Sequence, residues 1–247
     1  MDKMLYIASS GASQDLLGTA LRSNNLANAQ TNGFKAQLEQ ARAMPAFGEG
    51  LPTRVFAMTE SPTNDYEGGA MIQTGRNLDV AVQGNGWLAV NDSQGNEAYT
   101  RAGSLHVDQI GMLTDSAGNP VIGDRGPMQL PIPLASISIA NDGTISVQPQ
   151  GAPANVQEEV GRLKLVNPDN KQIQRGLDGL FRQKDGQIAA ADANVQIRNG
   201  MLENSNVNPI EEMVSLISLQ RHYEMQVKLM KKASELDAQG NNMMRIL

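Results

Sequence analysis

No cysteine occurs among the 247 residues. Disulfides, thiolate metal sites, haem attachment through cysteine and cysteine nucleophiles are therefore excluded. Histidine is scarce as well. The chain has two, His106 and His222, too few for a histidine-rich metal centre. Aromatic residues make up 4% and charged residues 19%, so the chain is short of the large side chains that dominate compact enzyme cores. Lys and Arg number 20 against 26 Asp and Glu, a net charge of −6 with no long basic run. Phosphate contacts need clustered Lys and Arg, so duplex nucleic acid is a poor partner. Long apolar runs are missing too, and no transmembrane span is expected. Met1 to Gly11 lacks the basic start and continuous apolar run of a secretory signal, which points to the cytosol or to export without a cleaved signal. Small and amide residues fill the gap: 24 Gly, 21 Asn and 20 Gln.

Catalytic signatures are equally sparse. Gly84-Asn85-Gly86-Trp87-Leu88-Ala89 matches the loose dinucleotide pattern. The residues after Gly86 read as a strand, however, so no helix N-terminus follows to hold a pyrophosphate; a β-turn glycine pair is the better reading. His106 falls on the polar side of an alternating strand, and His222 lies mid-helix beside Arg221. Glu158-Glu159 and Glu211-Glu212 are adjacent, do not share a face, and make poor acid–base pairs. Asp92 to Glu97 lacks calcium-loop spacing. No catalytic residue, cofactor site or metal site is expected.

The two ends read as helix and the middle reads as β. Between Lys3 and Asn28 there is no proline, and residues recur at steps of seven. Met4, Gly11, Gly18 and Asn25 form one stripe. Leu5, Ala12, Thr19 and Leu26 form a second, and Ile7, Gln14, Leu21 and Asn28 a third. Sevenfold recurrence keeps a seam facing a partner helix. The seam is weak, because each interior glycine costs about 1 kcal/mol relative to alanine. Arg22 is the one charge between Leu16 and Phe34, so this helix needs neighbours on several sides. Gly33 supplies the stop.

Residues Ala43 to Gly69 carry Pro45, Pro52 and Pro62 with no clear period, and read as an extended connector with room for one hairpin. From Asn77 the period becomes two: Leu78, Val80 and Val82 alternate with Asp79 and Ala81. Short runs with recurring turn signals predict an antiparallel β domain. A three-residue Asn141-Asp142-Gly143 loop sets Ile139 opposite Ile145 and Ile137 opposite Val147, keeping one apolar face together. Beyond Ser205-Asn206-Val207, Asn208 can cap a helix that starts at Pro209, with Glu211 placed to reach back. That helix runs to about Met244, roughly 54 Å at about 1.5 Å per residue. Its expected seam is Leu216, Tyr223, Met230 and Met244, interrupted by Asp237 and flanked by Leu229, Leu236 and Met243.

The fold class is therefore α+β: a central antiparallel β domain bracketed by N- and C-terminal helices that pair in a coiled-coil-like bundle. The expected divisions are an assembly helix over 1–35, a connector over 36–76, the β domain over 77–200, and a second assembly helix over 201–247 that pairs with the first.

Two stretches carry a family resemblance. Asn24-Asn25-Leu26-Ala27-Asn28-Ala29-Gln30-Thr31-Asn32-Gly33-Phe34-Lys35 resembles the signature of bacterial flagellar rod and hook proteins. Ser205-Asn206-Val207-Asn208 before the long helix resembles the hallmark of the same family. Between them, Gly84 to Val90 and Tyr99-Thr100-Arg101-Ala102-Gly103-Ser104 resemble its β-core segments. The matches come in the right order and span nearly the whole chain. The Met-Asp start, Trp87-Leu88 and the Gly161 to Val166 strand look most like proximal-rod members, with distal-rod or other axial members as the alternative. Ala102 departs from the Asp or Asn that relatives often carry there.

The resemblance implies a structural, non-enzymatic subunit of the basal-body rod. It implies passage through the flagellar type III export apparatus without a cleaved signal. It also implies assembly in the periplasm, with copies of itself and other rod proteins, into a hollow shaft that carries motor torque to the hook. The terminal helices would pair and pack against neighbouring subunits through interfaces that do not close. Gly11 and Gly18 would allow close approach. Leu5, Leu21, Leu26, Phe34, Met213, Leu216, Tyr223 and Met230 would supply apolar contacts, and Gly33 the turn. Asn24, Asn25, Asn28, Asn206 and Asn208 would set register through amide hydrogen bonds. Two readings stay open beside these: capping and turn chemistry for the asparagines, and an ordinary intramolecular core for the Leu and Met stripes. The competing function classes are a surface β-domain binding module with coiled-coil ends and a cell-wall lytic enzyme.

Overall fold

The computed structural model describes residues 2–45, 55–151, 153 and 157–244; of residues 2–4, 40–45, 55–62 and 240–244 it describes the backbone alone. In chain order the elements are helix α1 (Asp2–Ala27), then strands β1 (Gln37–Pro45), β2 (Val55–Asn64), β3 (Met71–Gln73), β4 (Val80–Gln83), β5 (Trp87–Asn91) and β6 (Glu97–Thr100). There follow β7 (His106–Val107), β8 (Leu113–Thr114), β9 (Ile122–Gly123), β10 (Gly126–Pro127), β11 (Leu134–Ile139), β12 (Thr144–Pro149) and β13 (Glu158–Arg162). The last are β14 (Leu165–Val166), β15 (Ile173–Arg175), β16 (Phe181–Gln183), β17 (Gln196–Asn199), β18 (Met201–Glu203) and helix α2 (Pro209–Met244). The architecture is α+β, and the pairings among strands β3 to β18 are antiparallel.

The chain divides into two compact units. One comprises Met1–Ala29, Gln37–Thr63 and Val207–Leu247, and the other Gln30–Ala36 and Asn64–Asn206. The first holds α1, α2 and the two-stranded β1–β2 sheet. The expected connector, with its room for one hairpin, holds two long paired strands; Pro52 lies outside the described residues.

In the β unit a five-stranded sheet has the order β14-β5-β6-β16-β15, and a three-stranded sheet the order β11-β12-β13. The run Trp87-Leu88-Ala89-Val90 is buried throughout because its sheet is covered on both faces. Alternation sends Leu88 and Val90 into a larger core with Leu105, Leu113, Val121, Ile145 and Leu163. Trp87 and Ala89 go to a second core with Tyr99, Ile173 and Phe181. Trp87 and Phe181 rings lie 4.5 Å apart, and Tyr66 meets both edge-on at 6.2 and 6.1 Å.

The hairpin at Asn141–Gly143 has the expected register, Ile139 opposite Ile145 and Ile137 opposite Val147. Gly143 takes the left-handed conformation (φ 89°) that the three-residue loop requires. His106 is exposed, as its strand position predicts. The alternation at β4 departs from expectation. Ala81 and Asp79 are buried together with Val80 and Val82, because β17 pairs along β4 and Asp79 bridges to Ser104.

Candidate functional site

Helices α1 and α2 pack antiparallel along a seam of small residues. Opposing positions advance by seven on each helix. A Cβ added to Gly11 would lie 2.5 Å from Gln226 Nε2, and one on Gly18 would lie 2.7 Å from Glu39 Oε2 and 3.3 Å from Leu219. Asn25, seven residues further on, bonds Glu212, seven residues before Leu219. The α1 side of this seam is the predicted Gly11, Gly18, Asn25 stripe. On α2 the stripe opposite it is Glu212, Leu219, Gln226 and the buried Ala233. The expected seam is thus displaced: Leu216, Tyr223 and Met230 flank it, half-buried. Glycines on α1 bring the backbones close along the stripe of Glu212, Leu219, Gln226 and Ala233, and Leu216, Tyr223 and Met230 stand beside that line. The side chains of Met243 and Met244 lie outside the described residues.

A polar knot closes one end of the seam. Asn25 is fully buried. Its Nδ2 donates to Gln37 O at 2.9 Å and to Glu212 Oε1 at 3.1 Å, while Gln37 N donates to its Oδ1 at 2.9 Å. The amide thus pairs with the first residue of β1 as a neighbouring strand would. Arg22 Nη1 donates to both Glu212 oxygens at 3.1 and 3.2 Å. Glu212 stands in the first turn of α2, where the helix dipole favours a carboxylate. Asn208 caps that helix: its Oδ1 accepts from Ile210 N at 3.1 Å, and its carbonyl from Glu212 N. Glu211 is exposed, and the buried carboxylate is its neighbour.

The outward faces of the pair carry apolar patches. On α1, Tyr6, Leu16 and Leu17 are more than half exposed, and no exposed position with a described side chain is charged. On α2, Ile210, Met213, Val214 and Ile217 are exposed at i, i+3, i+4 and i+7, a continuous stripe turned away from the seam. Further along, the outer side of α2 carries mixed charge, with Arg221, Glu224 and Lys228 exposed and Lys232 paired to Glu235 at 2.7 Å.

In the β unit the two family-like motifs meet. Gly33 (φ 71°) ends the first motif in a left-handed turn, and any Cβ there would collide with the Arg101 backbone. Phe34 is buried beneath the Arg175 guanidinium, 4.3 Å from its ring centre. Lys35 Nζ donates to Glu203 Oε1 at 2.7 Å and to Glu67 O at 2.7 Å. Arg101 Nη1 donates to Glu203 Oε2 at 2.9 Å, and Gly69 N to Glu203 Oε1 at 3.0 Å. All three side chains are nearly inaccessible. Burial pushes the Glu203 carboxyl up, but Arg101 and Lys35 outweigh it and hold its pKa below the ordinary value. Asn206 accepts from Ala36 N and donates to the Asp65 and Glu67 carbonyls.

The predicted assembly residues therefore fall in different places. Gly11, Gly18 and Asn25 lie in the seam. Leu5, Leu21 and Leu26 are half-buried on α1, Asn28 is half-buried in the turn that follows it, and Asn24 is exposed, its carbonyl accepting from Asn28 N and Nδ2. Met213 is on the outer stripe. Gly33, Phe34 and Asn206 belong to the β unit, and Asn208 is the cap. The hydrogen bonds of Asn25, Asn206 and Asn208 are made within the chain. Glu212, Lys35, Arg101 and Glu203 are absent from that set. Lys35 and Arg101 stand inside the family-like motifs, and Glu203 follows the apolar pair Met201-Leu202 shortly before the second motif, a signal that was available. The stripe Ile210, Met213, Val214, Ile217 was equally visible in its spacing.

Two family models match the chain. One, described as flagellar basal body rod FlgEFG protein C-terminal, covers residues 198–243, and the flagellar hook protein FlgE/F/G D1 domain covers residues 81–147. Among similar proteins, the flagellar basal-body rod protein FlgF of Escherichia coli K12 is 44% identical over 99% of both chains. FlgF of Salmonella typhimurium is 42% identical, again over 99% of both. The flagellar basal-body rod protein FlgG of Buchnera aphidicola from Acyrthosiphon pisum is 30% identical over 94% of this chain and 96% of its own.

Proposed function

The chain belongs to the FlgF family of flagellar basal-body rod proteins, and from that premise we propose that it polymerises, through its paired terminal helices, into the hollow rod that carries motor torque to the hook. One observation supports this reading above others: the helix pair leaves uncharged apolar surface on α1 and an apolar stripe on α2, both directed away from the seam. Apolar patches of this kind on a soluble subunit mark surfaces that associate. A seam and an outer face on each helix give every subunit more than one direction of contact. Contacts of that sort, between different patches on successive copies, build open helical assemblies.

The partners in this reading are copies of the chain and other rod proteins, and the role is architectural, with no chemical step. The rod it joins is periplasmic, reached through the flagellar type III export apparatus without removal of a leader. Among the described residues, no helix is long and apolar enough to cross a membrane. Residues 1–35 and 201–247 serve as assembly segments, and 77–200 as the body that they carry.

Deletion of the chain in its host, followed by imaging of isolated basal bodies, tests this. Rods cut short close to the inner membrane are expected, with full length restored by the parent gene. Complete rods in the deletion strain would contradict the proposal.

A further inference from the structure

The chain passes between its two units after Ala29, Ala36, Thr63 and Asn206. At three of these four crossings, the residues just inside the β unit are bonded to one another. Ala36 N donates to Asn206 Oδ1 at 2.7 Å. Asp65 N donates to Ala36 O at 2.8 Å. Asn206 Nδ2 donates to Asp65 O at 3.1 Å, which closes a ring of three hydrogen bonds among segments far apart in sequence. Asn206 reinforces the ring on both sides, through Nδ2 to Glu67 O at 3.2 Å and through its own N–H to Phe34 O at 3.4 Å. Three residues earlier, Glu203 repeats the arrangement with charge. Its carbonyl accepts from Gly33 N at 2.7 Å, and its carboxylate binds Lys35, Arg101 and Gly69 N.

We propose that Asn206 and Glu203 are positioning residues of a load-sharing clamp: force entering the β unit along any one of these segments is distributed over all three, which stiffens the subunit for torque. This rests on the rod-subunit reading. Asparagine suits the position because its short amide offers one acceptor and two donor hydrogens, and the ring uses both functions at once. Aspartate would keep the acceptor and lose the donations. The ionic part resists gradual slackening. Withdrawing Glu203 would leave Lys35 and Arg101 buried without a counter-charge, so the clamp holds or fails as a unit.

The test uses the full chain with Asn206→Ala and Asn206→Asp. In purified Asn206→Ala, amide exchange at Ala36, whose N–H loses its acceptor, is expected to quicken about tenfold, the factor for losing roughly one hydrogen bond, and by less in Asn206→Asp, which keeps that acceptor; the melting of the β unit is retained in both. In cells, both variants should build rods of full length. Swimming should match the parent in dilute buffer and stop at a viscosity where the parent still swims, with Asn206→Asp falling between parent and Asn206→Ala. Variants that track the parent through the whole viscosity series would overturn the clamp. So would loss of rods with exchange at Ala36 unchanged, because Asn206 would then act at a subunit interface. Complete rods in the deletion strain would instead remove the rod-subunit reading itself.

Discussion

The two units of this chain bury different kinds of residue. In the β unit, Trp87, Tyr99, Leu88, Leu113, Ile145 and Leu163 are essentially inaccessible. On α1 and α2, the buried residues with described side chains are Ala8, Ala12, Gly18, Asn25, Glu212 and Ala233, none of them a large aliphatic. Full burial of a large apolar side chain contributes about 1.5–3 kcal/mol, so the β unit gains far more from its own packing. Many of the Leu, Ile, Val and Met side chains of the helix pair are exposed, among them Leu16, Leu17, Ile210, Met213, Val214 and Ile217. A sequence that spends its small residues on the intramolecular seam and its large ones on the surface has left its helices to be completed by neighbours.

The largest expected effect separates assembly from folding. Aspartate at both Leu17 and Ile217, on the outer faces of α1 and α2, should abolish rod formation and swimming while leaving the thermal transition of the β unit in place. Electron microscopy of basal bodies, paired with calorimetry of the purified variant, reads both. Rods of normal length from this variant would show that the outer faces are not the assembly surface.

Next in size is the buried ionic cluster. Glu203→Ala leaves two buried cations unpaired, and should lower the stability of the β unit by about 3–5 kcal/mol in denaturant titration. A loss under about 1 kcal/mol would mean that the cluster is well solvated. In the seam, Gly18→Leu forces a side chain against Glu39 and Leu219 and should cost about 1–3 kcal/mol of helix pairing. That cost is visible as rods that dissociate at a lower temperature than the parent's, with the β transition of the purified chain unmoved.

Acid should act on the β unit through Asp92. Its hydrogen bond from Arg182, assisted by the backbone N–H groups of Asn96 and Gln94, lowers the pKa from 3.8 to about 2. A depressed carboxyl contributes stability above its unfolded pKa and loses it as the pH falls through the folded value. The melting temperature of the β unit should therefore drop between about pH 4 and pH 2, and Asp92→Asn should flatten that part of the profile. The smallest effect belongs to the helix cap: Asn208→Ala should cost about 0.5–2 kcal/mol, confined to the start of α2.

Much of this contrast was legible in the residues. Steps of seven from Gly11 to Asn25 marked the seam on α1, and Asn208-Pro209 marked the start of α2. The turn glycine at 143 with flanking isoleucines set one hairpin in register. What stayed hidden depended on partners distant in sequence. Nothing near Glu212 announces Asn25 and Arg22, and nothing near Glu203 announces Lys35 and Arg101. The α2 seam was displaced for the same reason. Leu216, Tyr223 and Met230 form the more apolar line, but the facing glycines favour the stripe of Glu212, Leu219, Gln226 and Ala233. The amide of Asn25, read from its motif as a means of setting helix register, is bonded to Gln37 and Glu212 of its own chain.

Amide hydrogen exchange on the purified chain, verified as a monomer, tests most directly whether the helices depend on neighbours. The account predicts strong protection over β5, β6, β12 and β16 and little over Leu5 to Asn28. Protection across Leu5 to Asn28 as strong as that of the β unit would contradict it.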